Sequence, residues 1–135
     1  MNVAQIQRFC HYLEMHREEA LRSLTRLEEE TRSLDSDYPQ DVGDRCITTL
    51  SKESLFQRTS GRRGFLRLIE AALARIRLGA FGVCVQCGDD IDLRRLEAVP
   101  WTQHCLRCQL GLERGKQLNT QRQRSDQPGN LKNVG

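Results

Sequence analysis

Six cysteines stand in this chain of 135 residues, and four fall into two pairs of like spacing, Cys84-Val-Gln-Cys87 and Cys105-Leu-Arg-Cys108. Seventeen residues separate the pairs, so the pattern is C-x2-C-x17-C-x2-C, the arrangement of a four-thiolate zinc module. Each pair presents two sulfurs from one tight turn. Tetrahedral Zn²⁺ at about 2.3 Å per sulfur closes such a set and leaves no position for water, so one structural ion is implied. The competing chemistry is a thiol or zinc redox sensor, although a single CxxC would suffice for redox work. His104 lies beside Cys105, but the ligand set is complete without it. Cys10 and Cys46 have no CxxC partner and read as small hydrophobes at helix positions. Arg94, Arg95 and Arg107 lie near the sulfurs in sequence and could offset a Zn(Cys)₄ charge of −2 as readily as serve as ordinary surface residues.

The elements that position this set must be lean. Hydrophobic residues make up 38% and aromatics 5%, too few for a thick two-layer core, which favours long helices and a metal staple. Apolar residues Val3, Ile6, Cys10, Leu13, Ala20, Leu24, Leu27 and Leu34 step by three and four, with Arg17 and Thr31 as polar exceptions, and predict a helix over about 4–33. Pro39 and Gly43 break the pattern. A second helix is predicted over about 44–78, with Ile47, Leu50, Leu55, Leu66, Ile69, Leu73 and Ile76 on its apolar face and a soft point or kink at Ser60-Gly61-Arg62-Arg63-Gly64. Gly79 ends it.

Two amphipathic helices joined by a short loop hide their stripes best against each other. The expected fold is therefore mainly α, a long antiparallel helical hairpin (coiled coil) with a small four-cysteine zinc-finger module and a C-terminal helix. The expected organisation is a hairpin at 1–79 with an acidic tip at 35–46, the zinc module with its helix at 80–122, and a polar, disordered tail at 123–135. Trp101 beside Pro100 is expected to cover the zinc module.

Charge is polarised along this frame. The tip carries Asp35, Asp37, Asp41 and Asp44 against Arg45 alone, whereas 57–82 contains Arg58, Arg62, Arg63, Arg67, Arg75 and Arg77 against Glu70 alone. The carboxylates read equally as solvated loop residues, with Asp41 or Asp44 capping the second helix. No catalytic triad, phosphate-cradling loop or open metal site accompanies them, so an enzyme is not expected. The arginines would suit a zinc-ribbon nucleic-acid binder, but they spread over several faces and few aromatics are available for base stacking. No apolar run reaches the length of a membrane span, and the first residues lack a secretory signal; a soluble cytoplasmic chain is expected.

Asp41-Val-Gly-Asp44-Arg45 at the turn, Phe81-Gly82-Val83-Cys84, Cys87-Gly88 and Arg94-Arg95-Leu96-Glu97-Ala98 together resemble the DksA/TraR family of bacterial transcription regulators. The likeness runs from about residue 35 to about residue 115. It implies a protein that binds RNA polymerase without a DNA operator, acts as a monomer, and inserts its coiled coil through the secondary channel. By position, Asp41 and Asp44 match the family's paired tip aspartates, and Cys46 falls where the family has alanine. Leu68, Val99 and Gln109 stand where the resemblance leads one to expect basic residues for guanosine tetraphosphate (ppGpp), which implies action without that alarmone. With about forty residues before Asp41, the chain is expected to lack the extra N-terminal globular region of full-length members.

Overall fold

The computed structural model describes residues 1–36 and 42–125, with side chains described for 1–34 and 45–119. Four helices follow in order: α1 (Val3–Ser36), α2 (Val42–Arg77), α3 (Leu93–Ala98) and α4 (Leu106–Ser125). At 1.5 Å per residue, α1 and α2 are each about 50 Å long. They lie antiparallel, since Arg17 reaches Glu70 (3.6 Å), Glu28 reaches Arg63 (3.7 Å) and Glu30 reaches Arg58 (3.5 Å).

The ends of this hairpin are set by local chemistry. Asn2 and Gln5 form a reciprocal capping box: the Gln5 N–H donates to Asn2 Oδ1 (2.8 Å) and the Asn2 N–H to Gln5 Oε1 (3.0 Å). At the far end of α2, Gly79 takes φ +73°. Its N–H donates to the Ile76 carbonyl (3.2 Å) and that of Ala80 to the Arg75 carbonyl (2.9 Å), which closes a Schellman motif and frees the chain to enter the zinc module.

Along α1 the buried residues are Leu13, Ala20, Leu24 and Leu27, flanked by half-buried Ile6, Cys10, Thr31 and Leu34. The heptad seam is therefore as the spacing predicts, except that Val3 is exposed. On α2 the outcome differs. Leu55, Ile69 and Leu73 are buried, but Ile47 and Leu50 are 65% and 66% exposed, and half-buried Thr48 and Ser51 take the inner positions. Helical geometry gives the reason: counted back from Leu55, Thr48 and Ser51 fall within about 40° of the seam, while Ile47 and Leu50 fall about 80° and 140° away. Through Ser60–Gly64 α2 stays helical.

The continuous core lies at the base, where Leu13, Ile69, Ala72 and Leu73 of the hairpin meet Phe81, Cys84, Ile91 and Leu96 of the module. Helix α4 begins as predicted but extends to Ser125, three residues past the expected boundary, and leaves Leu106, Leu110 and Leu118 exposed.

Candidate metal centre and arm tip

Two turns and one helix start bring the four cysteines together. The first pair sits in a knuckle made by an antiparallel bridge between Val83 and Asp90, with the Cys84 N–H donating to the Asp89 carbonyl (2.8 Å) and the Ile91 N–H to the Gly82 carbonyl (2.8 Å). Gly88, at φ +76°, donates its N–H to the Cys84 carbonyl (3.0 Å) and so turns the chain directly after Cys87. The second pair straddles the start of α4, and the Cys108 N–H points at Cys105 Sγ (3.5 Å). The Val85 N–H donates to the Gln103 carbonyl (3.0 Å) and ties the two halves together.

The four sulfurs lie within 4.8 Å of one another. A tetrahedron with Zn–S bonds of about 2.3 Å has S···S edges of about 3.8 Å, and the Cys87–Cys105 sulfur separation is 3.8 Å. The donors thus fit a closed, four-coordinate zinc site. Cys84 is buried, Cys105 and Cys108 half-buried and Cys87 exposed. Backbone N–H groups, that of Cys87 foremost, pull the Cys84 thiol down to about 6. The sulfur of Cys105 and burial push Cys108 up to about 12, because neighbouring thiolates repel unless a cation sits among them. A divalent ion supplies that charge.

Around the ligands, the arginines divide their work. Arg107 extends to Asp89 (3.3 Å), and its pKa is raised by the Cys87 sulfur and then by Asp89 and Cys105. Arg95 donates from Nε to the His104 carbonyl (3.1 Å) and from Nη2 to Thr102 Oγ1 (3.4 Å), bracing the loop that delivers Cys105. Arg94 is exposed. His104 enters this network through its carbonyl and lies outside the ligand set.

Trp101 packs against the core that the module shares with the hairpin. Its ring meets Phe65 of α2 edge-on (4.7 Å, 85°) and His16 of α1 (5.4 Å), so it bolts the module to the hairpin. Phe9 and Phe81 make a second contact of this kind at 5.4 Å. Arg75 adds a third link, donating from Nη2 to the Thr102 carbonyl (3.0 Å), with its pKa lowered by burial. Sequence reasoning placed Arg75 among surface cations. Its approach to Thr102, 27 positions away, leaves no local signal. Helix α3 was also unforeseen, though Asp92 caps it by accepting the Arg94 N–H (2.8 Å) and could have marked it.

At the opposite end of the arm, Asp41 lies outside the described residues. Asp44 belongs to the first turn of α2, with its side chain outside the described residues, and Cys46, two residues further on, is exposed. No helix among the described residues is long and apolar enough to cross a membrane.

An antiparallel helical arm standing on a C4 zinc knuckle defines a zinc-finger protein of the coiled-coil type. Comparison with known proteins narrows this. Residues 79–114 match the family described as the prokaryotic dksA/traR C4-type zinc finger. The RNA polymerase-binding transcription factor DksA of Salmonella typhimurium is 31% identical over 123 residues, covering 87% of this chain and 78% of its own length. An uncharacterized protein of Aquifex aeolicus is 36% identical over 80 residues, 59% of this chain, and the chain spans 55% of that relative's length. The structure of transcription factor DksA2 from Pseudomonas aeruginosa superposes with a TM-score of 0.77 at 25% identity, covering 87% of this chain and 89% of that one. The chain belongs to the DksA/TraR family.

Proposed function

We propose that this chain is a transcription regulator that binds RNA polymerase and modulates initiation by inserting the α1–α2 hairpin into the secondary channel, with Asp41 and Asp44 at its leading end. The observation that carries this reading is the arm: two helices, each about 50 Å long, antiparallel and narrow, held at one end by a zinc-closed base. That shape supplies reach, and acidic residues at the turn supply negative charge at its end. Cys46, two residues after Asp44 in sequence, contributes a small exposed side chain. The protein acts as a monomer in the cytoplasm, needs no operator DNA, and performs no turnover of its own.

We further propose that ppGpp is not required. Leu68 and Val99 carry no charge, and the Gln109 amide donates to Glu113 (3.1 Å), which puts a carboxylate where a tetra-anion would need a cation. A direct nucleic-acid role finds less support, because Arg58 and Arg63 are paired with Glu30 and Glu28 within the arm and Arg75 is engaged at the base.

Binding to purified RNA polymerase together with open-complex lifetime, measured with and without ppGpp, tests both statements. Asp41→Asn with Asp44→Asn should abolish the effect on lifetime while polymerase binding persists, and ppGpp should change neither. Full activity of the double variant would refute the tip mechanism.

A further inference from the structure

Gly61 and Gly64 stand in the middle of a 36-residue helix, and neither of the usual reasons for a glycine applies to them. Their backbones do not need its freedom, since the positive-φ glycines are Gly79, Gly82 and Gly88. Close packing does not need it either: a Cβ at Gly61 would meet nothing within 4 Å, and one at Gly64 only the guanidinium of Arg67 at 3.7 Å. What remains is their effect on the helix itself, a loss of about 1 kcal/mol each relative to alanine.

The packing changes at the same place. On α2 no residue between Leu55 and Ile69 is buried. On the base side, Leu13, Ile69, Ala72 and Leu73 belong to the continuous core shared with the zinc module. The ion pairs joining 17 to 70, 28 to 63 and 30 to 58 set Gly61 and Gly64 across from the turn of α1 that carries Leu24 and Leu27. Beyond that turn, Leu55 is the only buried side chain among the described residues. Its neighbours on the seam are Thr48, Ser51 and Thr31, and a groove of about 550 Å³ lined by Ser33, Leu34, Leu50, Ser51 and Ser54 runs beside it. Thr31 and Thr59 turn their hydroxyls onto the carbonyls of Leu27 and Leu55 (2.9 and 2.8 Å), a bond that weakens and bends helices slightly. The pairs Arg58–Glu30 and Arg63–Glu28 are half exposed and hold the segment only weakly.

We propose that the arm is two cooperative units with a built-in boundary at Gly61–Gly64, and that the distal unit, residues 28–36 with 42–64 and so including both glycines, opens while the base and zinc module stay folded. This division goes beyond the proposed function and holds whatever the arm contacts. It gives the protein an end that can loosen and re-form without releasing its foundation.

Amide hydrogen exchange of the full zinc-loaded chain tests it. Amides of the distal unit should exchange at least tenfold faster than those of 66–76. Ile69→Val, which weakens only the base, should speed exchange at 66–76 about 3- to 10-fold and leave the distal rates unchanged. Gly61→Ala with Gly64→Ala should slow distal exchange roughly 10- to 30-fold, the ratio that two glycine-to-alanine replacements convert to. Gly115→Ala in α4, also in open space, should leave the distal rates as they were. The proposal is overturned if both units exchange at one rate, if Ile69→Val accelerates them equally, or if the double alanine variant leaves distal exchange unaltered.

Discussion

Replacing Phe65 by alanine should loosen the zinc module from the arm, and the size of the effect follows from its burial and two ring contacts. A fully buried phenylalanine costs about 3–5 kcal/mol on truncation. Phe65 is half-buried, which scales the loss to about 2 kcal/mol, or roughly a 30-fold rise in the unfolding constant. Within that figure, the edge-on contact with Trp101 at 4.7 Å accounts for about 0.5–1.5 kcal/mol, and the more distant ring of His16 at 6.3 Å for little. Trp101 is the one tryptophan in the chain, so its emission reports this junction alone. Urea unfolding of the zinc-loaded protein should show a lower midpoint in Phe65→Ala, with Trp101 emission shifted to the red before denaturant is added. A cycle with Trp101→Leu, followed by helix circular dichroism, should return a coupling of about 0.5–1.5 kcal/mol. Coupling below about 0.3 kcal/mol, with unchanged emission, would show that the ring pair does not bind module to arm.

Serine at Cys84 or Cys105 should abolish binding of one equivalent of zinc, read by metal analysis after dialysis, and should unfold the module while much of the hairpin helix signal survives. Gly79→Ala should cost about 1 kcal/mol in thermal or urea unfolding, because alanine resists φ +73°. Leu55→Ala should cost about 2–4 kcal/mol in the same assay, whereas Leu50→Ser, on an exposed position, should stay within about 0.5 kcal/mol. The gap in melting temperature between zinc-loaded and zinc-free protein should widen as pH rises above about 9, the ordinary thiol value. In the zinc-free chain Cys108 is pushed up to about 12, so stability present below its ordinary thiol value is lost above it. Cys84, held down at about 6, adds stability that is complete above the ordinary value and lost as pH falls towards 6. Once that contribution is complete, the Cys108 penalty dominates, and zinc cancels it by neutralising the thiolates.

The metal centre was legible because its ligands come as short-range pairs, and a turn of two intervening residues constrains sulfurs whatever surrounds it. The helices were legible for a similar reason, since Leu13, Ala20, Leu24 and Leu27 repeat with the period of the helix that buries them. Ile47 and Leu50 misled because they are as apolar as Leu55, although their angular offset from it along α2 already sets them off the seam. Elsewhere, where the reading failed, the information was not local. Trp101 gives no sign in sequence that its partners are Phe65 and His16, and the capping pair Asn2 and Gln5, visible in principle, is too short a signal to stand out unaided.

Only six residues separate the end of α2 at Arg77 from Cys84, so the metal knuckle acts as the clamp of a long lever. For an arm of about 50 Å, one degree of rotation at the clamp displaces the opposite extremity by roughly 1 Å. Angular play that would be harmless in a compact domain becomes, here, a positional error on the scale of a chemical bond. Three separate fastenings at the clamp, two aromatic and one through Arg75, are what such amplification requires.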